Sequence, residues 1–408
     1  MLCGLLGRKL GHSYSPQIHA MLGDYQYELY EKEPQELKDF LQQCPFVGLN
    51  VTIPYKKDVL PYCAELTDQA RKLGAVNTIV RRSDGSLLGH NTDYFGFLSM
   101  LNRTKICVEG EKVLVLGSGG ASATAVMVLK ELGAKVVVVS RSGNDNYSNI
   151  EKHADAAVIV NATPVGMYPH VGISPVSLEQ FPRLQGVLDM IYNPARTDLL
   201  QQAEKLGLVT ENGLWMLVAQ AKESAQWFTE KVLPDSIIPH IHRKLQLQME
   251  NIILIGMPGS GKSTVGQLLA EKLGKEFVDA DTEIERVADC SIPEIFANDG
   301  EDRFRQIETE VLGELGKRSG LVIATGGGCV TRQINYPLLH QNGILIWLQR
   351  EIDALPTDGR PLSDPGKMET MYAVRKPFYT AFADIVIDNN CPVTDTVDKI
   401  LSSMNLEE

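Results

Sequence analysis

The chain has 408 residues, which is too long for one ordinary hydrophobic core, so we expect two or more domains. Its formal net charge of −12 excludes the broad basic face that a nucleic-acid or acidic membrane surface requires. Seven cysteines without metal-type spacing indicate reduced thiols, and neither a signal-peptide pattern nor a membrane-length apolar run is present, so we expect a cytoplasmic protein.

The first unusual stretch in chain order is GLLGRKLGHSYSP, residues 4–16, where an apolar run ends in a polar cluster. Ser13 and Ser15 are predicted to cap the helix SPQIHAML, with Pro16 at its first position. A helix start that carries free hydroxyls and N–H groups is also a suitable place for a small anion. Residues 1–98 alternate short strands with helices, so the cluster belongs to an α/β lobe.

A glycine-rich loop lies within KVLVLGSGGASATAVMVLKELG, residues 112–133, between a strand-like and a helix-like segment. Such a loop brings a pyrophosphate against the backbone at a helix N-terminus, which predicts dinucleotide binding at Gly117, Gly119, Gly120 and Ala121. The next strand ends at Ser140, Arg141 and Ser142, where an NAD enzyme usually places an acidic residue. A cation flanked by hydroxyls fits a 2′-phosphate, which favours NADP(H), although a solvated loop charge is the commoner fate of an arginine.

A second loop, GMPGSGKST at 256–264, matches the Walker A pattern and predicts ATP binding. Lys262 would reach the β- and γ-phosphates, and Ser263 would hold Mg²⁺. The backbone and side chains that would surround the phosphates are those of Gly259, Ser260, Gly261, Lys262, Ser263 and Thr264. Pro234 and Pro239 interrupt the helical pattern before this loop, and we place a domain boundary near residue 246.

Further short motifs occur in a fixed order in the first part of the chain. They are GLNVTIPYK (48–56), GAVNTIV (74–80), HNTDYFGF (90–97), NATPVGM (161–167), DMIYNPARTDLL (189–200) and NGLWMLVAQAKESAQWF (212–228). Together with GHSYSP and the first glycine loop, they resemble the shikimate dehydrogenase family over nearly all of residues 1–246.

The resemblance implies a role for each of these polar positions. Lys56 and Asp93 would form the catalytic pair, which agrees with the need for a cation at the alkoxide that ketone reduction generates. The alternative for this pair is an exposed ion pair of little value. The resemblance further implies that Ser13 and Ser15 bind the substrate carboxylate, that Asn50, Thr52, Asn77 and Gln220 bind ring hydroxyls, and that Thr163 and Gly213 contact NADP(H).

One segment departs from the family pattern. Only GNDNYSNIEKHADAA separates Arg141 from the strand VIVNAT, where the family usually has a helix, a strand and a further helix. This spacing leaves room for one short helix. We therefore predict that the edge strand of the dinucleotide-binding sheet is missing.

The motifs after the Walker A loop resemble the shikimate kinase family over about residues 250–408. They are VDADTEIE (278–285), IPEIFANDGEDRFRQIETEVL (292–312), VIATGGGCV (322–330), GRPLS (359–363) and VRKPFYTAFADIVID (374–388). The resemblance implies that Asp279 acts through the Mg²⁺ shell and that Asp281 hydrogen-bonds the accepting hydroxyl. It further implies that Arg305 and Arg375 bind the shikimate carboxylate and that Gly327 and Gly328 form the pocket floor. Arg360 would contact the transferring phosphoryl group. The lid segment is short, and it lacks the basic residue that often stacks on adenine.

The sequence therefore predicts an α/β protein with a two-lobed dehydrogenase-like unit, whose dinucleotide lobe is shortened, and a P-loop kinase domain. The substrate lobe is assigned to 1–99 and 214–246, the NADP lobe to 100–213 and the kinase to 250–408. The predicted reactions are NADPH-dependent reduction of 3-dehydroshikimate and ATP-dependent phosphorylation of shikimate. Two alternatives stay open, namely a first half that only binds or scaffolds, and a kinase for another small polyol. The sequence predicts neither the oligomeric state nor channelling between two sites.

Overall fold

The computed structural model describes residues 1–11, 13–43, 45–355 and 365–404, and its strands form three separate sheets. Arg360, predicted to act on the phosphoryl group, lies outside the described residues. The chain divides into two compact units. Unit 1 comprises Met1–Met167, Ile173–Tyr192 and Leu199–Leu245, and unit 2 comprises Tyr168–Gly172, Asn193–Asp198 and Gln246–Glu408.

The first sheet of unit 1 is mixed, with the strand order β2-β1-β3-β5-β6-β4. Its strands are β1 (Leu2–Gly7), β2 (Gln26–Glu31), β3 (Gly48–Val51), β4 (Glu65–Leu66), β5 (Thr78–Arg81) and β6 (Leu87–His90). The accompanying helices are α1 (Ser15–Leu22), α2 (Leu37–Gln43), α3 (Asp68–Leu73) and α4 (Asp93–Thr104). Antiparallel pairing of β3 with β5 places Asn50 opposite Thr78, which brings two polar side chains together inside the lobe.

The second sheet of unit 1 is entirely parallel, with the order β11-β10-β9-β7-β8. Its strands are β7 (Lys112–Leu116), β8 (Lys135–Val139), β9 (Val158–Asn161), β10 (Gly186–Asp189) and β11 (Val209–Glu211). β8 forms one edge of this sheet, and a 3-10 turn at Ile150–His153 occupies the segment before β9. Among the described residues, no strand lies beyond β8, as the short spacing after Arg141 predicts.

Four helices complete this part of the chain: α5 (Gly120–Glu131), α6 (Asp198–Lys205), α7 (Gly213–Thr229) and α8 (Ile237–Met249). The predicted interruption at Pro239 is wrong, because α8 is continuous through that residue. Pro239 lies in the first turn of α8, where a backbone N–H has no partner within the helix, so proline costs little there.

Unit 2 contains a parallel sheet with the order β13-β14-β12-β15-β16. Its strands are β12 (Asn251–Ile255), β13 (Glu276–Asp279), β14 (Leu321–Ala324), β15 (Gly343–Gln349) and β16 (Ile385–Asp388). Its helices are α9 (Lys262–Leu273), α10 (Ala280–Ala288), α11 (Ile292–Lys317), α12 (Asn335–His340), α13 (Pro365–Phe382) and α14 (Val393–Ser403). Within α11, Gly300 adopts a φ of 80° and divides the helix into two parts.

The two parallel sheets are each buried between two apolar clusters, as parallel sheets with helices on both faces require. Leu114 and Val115 of β7 face two different clusters in unit 1, and Ile253 and Leu254 of β12 do the same in unit 2. Within the described part of the chain, no helix is both long enough and apolar enough to cross a membrane. The apolar clusters hold the strand ends and helix starts in place, and the candidate functional side chains lie at those positions.

Candidate active sites

Lys56 and Asp93 meet in unit 1, with 2.6 Å between Lys56 Nζ and Asp93 Oδ2. Lys56 follows Tyr55, a fully buried ring that anchors the segment after β3, and Asp93 begins α4. Their side chains are 28% and 16% exposed, so the pair remains reachable from solvent but is well shielded. The predicted catalytic pair is thus assembled as an ammonium held by one carboxylate.

The predicted hydroxyl-binding side chains surround a buried cluster of three hydroxyls from Thr78, Thr92 and Ser224, which lie 3.0–3.1 Å apart. Asn50 Nδ2 donates to Ser224 Oγ at 2.8 Å, and Asn77 Nδ2 donates to Thr92 Oγ1 at 3.0 Å. Gln220 Oε1 accepts from Thr92 Oγ1 at 3.3 Å. The structure therefore brings Asn50, Asn77 and Gln220 together. Thr52 lies just after β3, and its backbone N–H donates to Leu6.

The predicted capping by Ser13 and Ser15 requires a correction. Tyr14 is the N-cap residue of α1, Ser15 is the first residue within the helix, and the Tyr14 side chain makes no capping hydrogen bond. Ser13 Oγ accepts instead from the backbone N–H of Ser15 at 3.2 Å. Because Ser15 has helical geometry, its hydroxyl is not used as a cap and stays at the helix start.

The first glycine loop fits a dinucleotide. Gly117 has a φ of 105°, and a Cβ there would lie 3.0 Å from the Ala162 carbonyl oxygen, so only glycine suits the turn. A Cβ on Gly119 or Gly120 would meet no heavy atom within 4 Å. These residues and Ala121 are exposed, and no side chain caps α5, so the helix N-terminus has room for a pyrophosphate.

The other predicted NADP residues follow three parallel strands of the same sheet. Ser140, Arg141 and Ser142 directly follow β8, and the Arg141 side chain is exposed. Thr163 follows β9, and its hydroxyl donates to Asn161 Oδ1 at 2.7 Å. Gly213 begins α7, where a Cβ would lie only 2.1 Å from the Met190 carbonyl oxygen. All of them therefore lie at the carboxyl edge of the sheet, where such folds bind ligands.

The Walker A loop has the geometry that its glycines require, with φ values of 151° at Gly256, 81° at Gly259 and 89° at Gly261. Lys262 Nζ donates to the carbonyl oxygens of Gly256 and Met257 at 2.9 and 3.0 Å, which holds the ammonium across the loop. The Ser260 carbonyl oxygen accepts from Asn389 at 2.6 Å, and Thr264 lies in the first turn of α9.

Two oxygen-bearing side chains beside this loop suit Mg²⁺. Ser263 Oγ donates to Asp279 Oδ2 at 2.6 Å. The other carboxylate oxygen of Asp279 accepts from the Asp281 N–H at 3.0 Å, which caps α10. Mg²⁺ in phosphoryl-transfer sites is bound by one or two protein oxygens together with phosphates, so this pair fits it.

A charged pocket lies next to the ATP loop. A Cβ on Gly326 would lie 2.8 Å from Asp281 Oδ1 and 3.0 Å from Glu308 Oε1. Glycine is therefore needed for the backbone to run this close to the two carboxylates. Arg375 Nη1 donates to the Gly327 carbonyl oxygen at 3.2 Å, and a Cβ on Gly328 would clash with the Arg305 guanidinium. The structure therefore brings together the predicted residues Asp281, Arg305, Gly327, Gly328 and Arg375.

Burial and the nearby carboxylate of Asp279 raise the pKa of Asp281, which makes it a stronger proton acceptor than an exposed aspartate. Arg305 binds the buried Glu308 at 2.8 Å and the exposed Glu301 at 3.2 Å. The pocket thus combines a proton acceptor with two guanidinium groups, which suits a hydroxylated carboxylic acid.

The two parts of the chain match different known proteins. The substrate-binding domain model of shikimate dehydrogenase matches residues 5–79. The NADP(+)-dependent shikimate dehydrogenase of Caldicellulosiruptor bescii is 38% identical over 259 residues, which cover 55% of this chain and 88% of that relative. The chain belongs to the shikimate dehydrogenase family.

Solved structures of the shikimate dehydrogenase family support the same assignment. A chorismate mutase/shikimate 5-dehydrogenase fusion protein from Clostridium acetobutylicum is 36% identical, with a TM-score of 0.58, over 60% of this chain and 97% of that one. The Thermus thermophilus shikimate 5-dehydrogenase in complex with NADP(H) and shikimate is 31% identical, with a TM-score of 0.54, over 60% of this chain and 99% of that one.

The remaining part of the chain matches a different family model, shikimate kinase, over residues 258–405. The chain is therefore a bifunctional enzyme of the shikimate pathway, an NADP-dependent oxidoreductase fused to a kinase that uses ATP and Mg²⁺. The scaffolding alternative is not favoured.

Some residues of both sites escaped the sequence-based prediction. In the dehydrogenase part, Thr78, Thr92 and Ser224 connect the predicted amides. In the kinase part, Glu308 pairs with Arg305 although its side chain is only 1% exposed. The helical spacing of three residues between Arg305 and Glu308 was a usable signal, because such residues are neighbours on one face.

Proposed function

We propose that unit 1 reduces 3-dehydroshikimate to shikimate with NADPH, and that unit 2 phosphorylates shikimate to shikimate 3-phosphate with ATP. The observation that carries the first half is the 2.6 Å pair of Lys56 and Asp93 beside the buried amides. A protein that only binds or scaffolds has no need for a shielded ammonium held by a carboxylate. The two lobes of unit 1 take the substrate and NADP(H) respectively.

Bound NADPH supplies the hydride that reduces the ketone. The Lys56 ammonium donates a proton to the carbonyl oxygen as negative charge develops there, and Asp93 holds the ammonium in position. Asn50, Asn77 and Gln220 hold the ring hydroxyls, and Ser13 and Ser15 hold the carboxylate. This arrangement orients the ring so that the ketone faces Lys56.

In the kinase reaction, the Asp281 carboxylate accepts a hydrogen bond from the attacking hydroxyl and orients its oxygen toward the phosphoryl group. Arg305 and Arg375 bind the carboxylate of shikimate, since guanidinium groups match carboxylate geometry. When ATP binds, the Lys262 ammonium gives up its hydrogen bonds to the carbonyl oxygens of the loop and binds phosphate oxygens. Bound Mg²⁺, held by Ser263 and Asp279, offsets the charge on the phosphates.

The test is one reaction mixture with 3-dehydroshikimate, NADPH and MgATP, with products identified by mass spectrometry. We expect shikimate 3-phosphate only when both cofactors are present. Lys56→Ala should lower the rate of NADPH oxidation by about 10²–10⁴-fold, because it removes a general acid, while added shikimate is still phosphorylated. Lys262→Ala should accumulate shikimate.

The two variants serve as controls for each other, because each leaves one half-reaction intact in the same chain. If wild-type protein phosphorylates added shikimate but never oxidises NADPH with 3-dehydroshikimate, unit 1 is a binding module and the proposal for it is wrong. If Lys56→Ala retains full NADPH oxidation, the assigned general acid is wrong.

A further inference from the structure

The chain turns back on itself directly after β8, at the residues predicted to bind the 2′-phosphate of NADP(H). The Ser140 N–H donates to the Asp145 carbonyl oxygen at 3.1 Å, and the Gly143 N–H donates to the Ser140 carbonyl oxygen at 3.4 Å. A Cβ on Gly143 would lie 2.8 Å from Ser140 Oγ, so the turn is closely packed. Residues 140–145 therefore form a closed turn, here called the β8 turn, in which the Arg141 side chain is exposed.

Asparagine side chains close the segment that contains the β8 turn. Asn146 Nδ2 donates to the Gly143 carbonyl oxygen at 3.2 Å, and Asn149 Nδ2 donates to the Asn144 carbonyl oxygen at 2.9 Å. Such local bonds satisfy backbone groups that have no partner in a helix or a sheet. The Tyr147 ring packs against one of the two apolar clusters that enclose the parallel sheet. The segment therefore has its own fixed contacts, although it is too short for the family's usual helix and strand.

One side-chain bond ties the β8 turn to the chain that leads into β9. His153 Nε2 lies 2.9 Å from Asp145 Oδ1, and because a carboxylate oxygen only accepts, the imidazole donates. The His153 side chain is 12% exposed, and its carbonyl oxygen accepts from the Ala156 N–H at 2.9 Å just before β9. His153 Nδ1 has no hydrogen-bond partner within the described part of the chain, so Asp145 is the group that orients the ring.

The bond to His153 also occupies the carboxylate that belongs to the same turn as Arg141. Opposite charges within one short turn attract each other. An ion pair between Asp145 and Arg141 would neutralise the guanidinium that a phosphate needs, and it would bring a negative charge toward that phosphate. Because Asp145 accepts from His153 instead, Arg141 is left to the ligand.

We propose that the Asp145–His153 hydrogen bond holds the β8 turn so that Arg141 faces the 2′-phosphate of NADP(H). Asp145 and His153 are then positioning residues, because they act through Arg141. This inference rests on the proposed use of NADPH by unit 1. NADPH and NADH differ only in the 2′-phosphate, so loss of the bond weakens NADPH binding and leaves NADH binding nearly constant. The ratio of the two dissociation constants therefore reports on the β8 turn.

The test compares His153→Leu with His153→Gln in the full chain, by fluorescence titration with NADPH and with NADH. Leucine removes the donor at similar size, whereas the glutamine amide can still donate to Asp145. His153→Leu should lower the preference for NADPH over NADH about tenfold, close to the effect of one hydrogen bond to a charged group. His153→Gln should stay within about threefold of wild type, and shikimate phosphorylation should be unchanged in both variants.

Arg141→Ser sets the scale of the effect, because it removes the cation itself. It should lower the preference for NADPH at least as far as His153→Leu does. Adding His153→Leu to Arg141→Ser should then change the preference little, since the hydrogen bond acts through Arg141. Additive effects of the two substitutions would contradict that coupling and overturn the proposal.

If His153→Leu binds neither nucleotide, the comparison moves to Asp145→Asn and Asp145→Ala. Both substitutions remove the charge of Asp145, but only asparagine keeps an oxygen that accepts from His153. The asparagine variant should retain the higher preference for NADPH. A preference no higher than that of the alanine variant contradicts the proposal.

Equal weakening of NADPH and NADH binding in His153→Leu would show that the bond supports the lobe as a whole, and the positioning role is then wrong. A His153→Gln variant as poor as His153→Leu would also overturn it. Wild-type protein that fails to oxidise NADPH with 3-dehydroshikimate contradicts the proposed function instead. The binding ratio is measured without turnover, so the two failures are distinguishable.

Discussion

Glu308 is a buried carboxylate that holds Arg305, one of the two guanidinium groups proposed to bind shikimate in unit 2. Burial raises the pKa of Glu308, and the bond to Arg305 opposes that rise. Glu308→Gln removes the charge and leaves Arg305 without its buried partner. Breaking comparable buried ion pairs lowers the unfolding free energy by about 3 kcal/mol. We expect KM for shikimate in phosphorylation to rise about tenfold or more, measured by coupled ADP release.

Glu301→Gln provides the matched control, because Glu301 binds the same guanidinium but its side chain is 65% exposed. Exposed ion pairs contribute about 0–1 kcal/mol, so this variant should stay within about threefold of wild type. Equal losses in the two variants would show that burial of Glu308 has no special role. NADPH oxidation should be unchanged in both.

At the scale of single residues, the sequence was sufficient where a motif carries the polar residue, as for Lys56 and Asp93. It was insufficient for Glu308. The spacing of three residues makes Glu308 a neighbour of Arg305 on one helix face, but a glutamate within a helix is usually solvated. Only the tertiary structure shows that Glu308 is buried, with its side chain 1% exposed.

At the scale of elements, the turn between β7 and α5 separates two roles of glycine. Gly117→Ala places a Cβ in a left-handed conformation and against the Ala162 carbonyl, so we expect a loss of about 1–3 kcal/mol in unfolding free energy. Gly119 has a φ of −84°, which alanine allows, and a Cβ there meets open space. The unfolding free energy of Gly119→Ala should therefore stay within about 0.5 kcal/mol of the wild-type value. Its methyl group would occupy the space for the pyrophosphate and weaken NADPH binding about tenfold.

Thermal unfolding and fluorescence titration with NADPH measure these two effects separately. Unchanged NADPH affinity in folded Gly119→Ala would contradict the position assigned to the pyrophosphate. Unchanged stability of Gly117→Ala would contradict the strained turn. Shikimate phosphorylation reports on unit 2 in both variants and should remain at the wild-type rate.

The elements themselves were predictable to different degrees. The Gly-rich loops predicted the parallel sheets, and the short spacing after Arg141 predicted the edge position of β8. Both features depend on local turns and on chain length. The start of α1 and the continuity of α8 were predicted wrongly, since Ser15 is the first residue within α1 and Pro239 lies in the first turn of α8. Helix ends depend on which of several adjacent residues first adopts helical geometry, and local composition does not decide that.

At the scale of the whole molecule, unit 1 has two sheets and unit 2 has one, and each unit has its own apolar clusters. A ligand that binds only the folded form stabilises the unit that holds it, by about 2.7 kcal/mol at one hundred times its Kd. We expect NADP⁺ to slow amide hydrogen exchange in peptides of β7 and α5, and MgADP to slow it in β12 and α9. Mass spectrometry of peptic fragments measures both effects.

Lys262→Ala is the control for this experiment, because it should lose the MgADP effect and keep the NADP⁺ effect. Protection of β12 and α9 by MgADP, with no response of β7 and α5 to NADP⁺, would contradict cofactor binding by the shortened sheet. Protection of the same peptides by both ligands would contradict the assignment of one nucleotide to each unit.

The outer edge of β8 affects how the protein behaves when it is concentrated. No further strand lies beyond Val136–Val139 in the described part of the chain, so this edge presents backbone groups to solvent. Lys135 and Arg141 flank the valines, and their like charges oppose the pairing of two such edges. Salt screens that repulsion over about 8–10 Å at ordinary ionic strength, so the choice of buffer during purification and crystallisation determines how well this edge is protected from self-association.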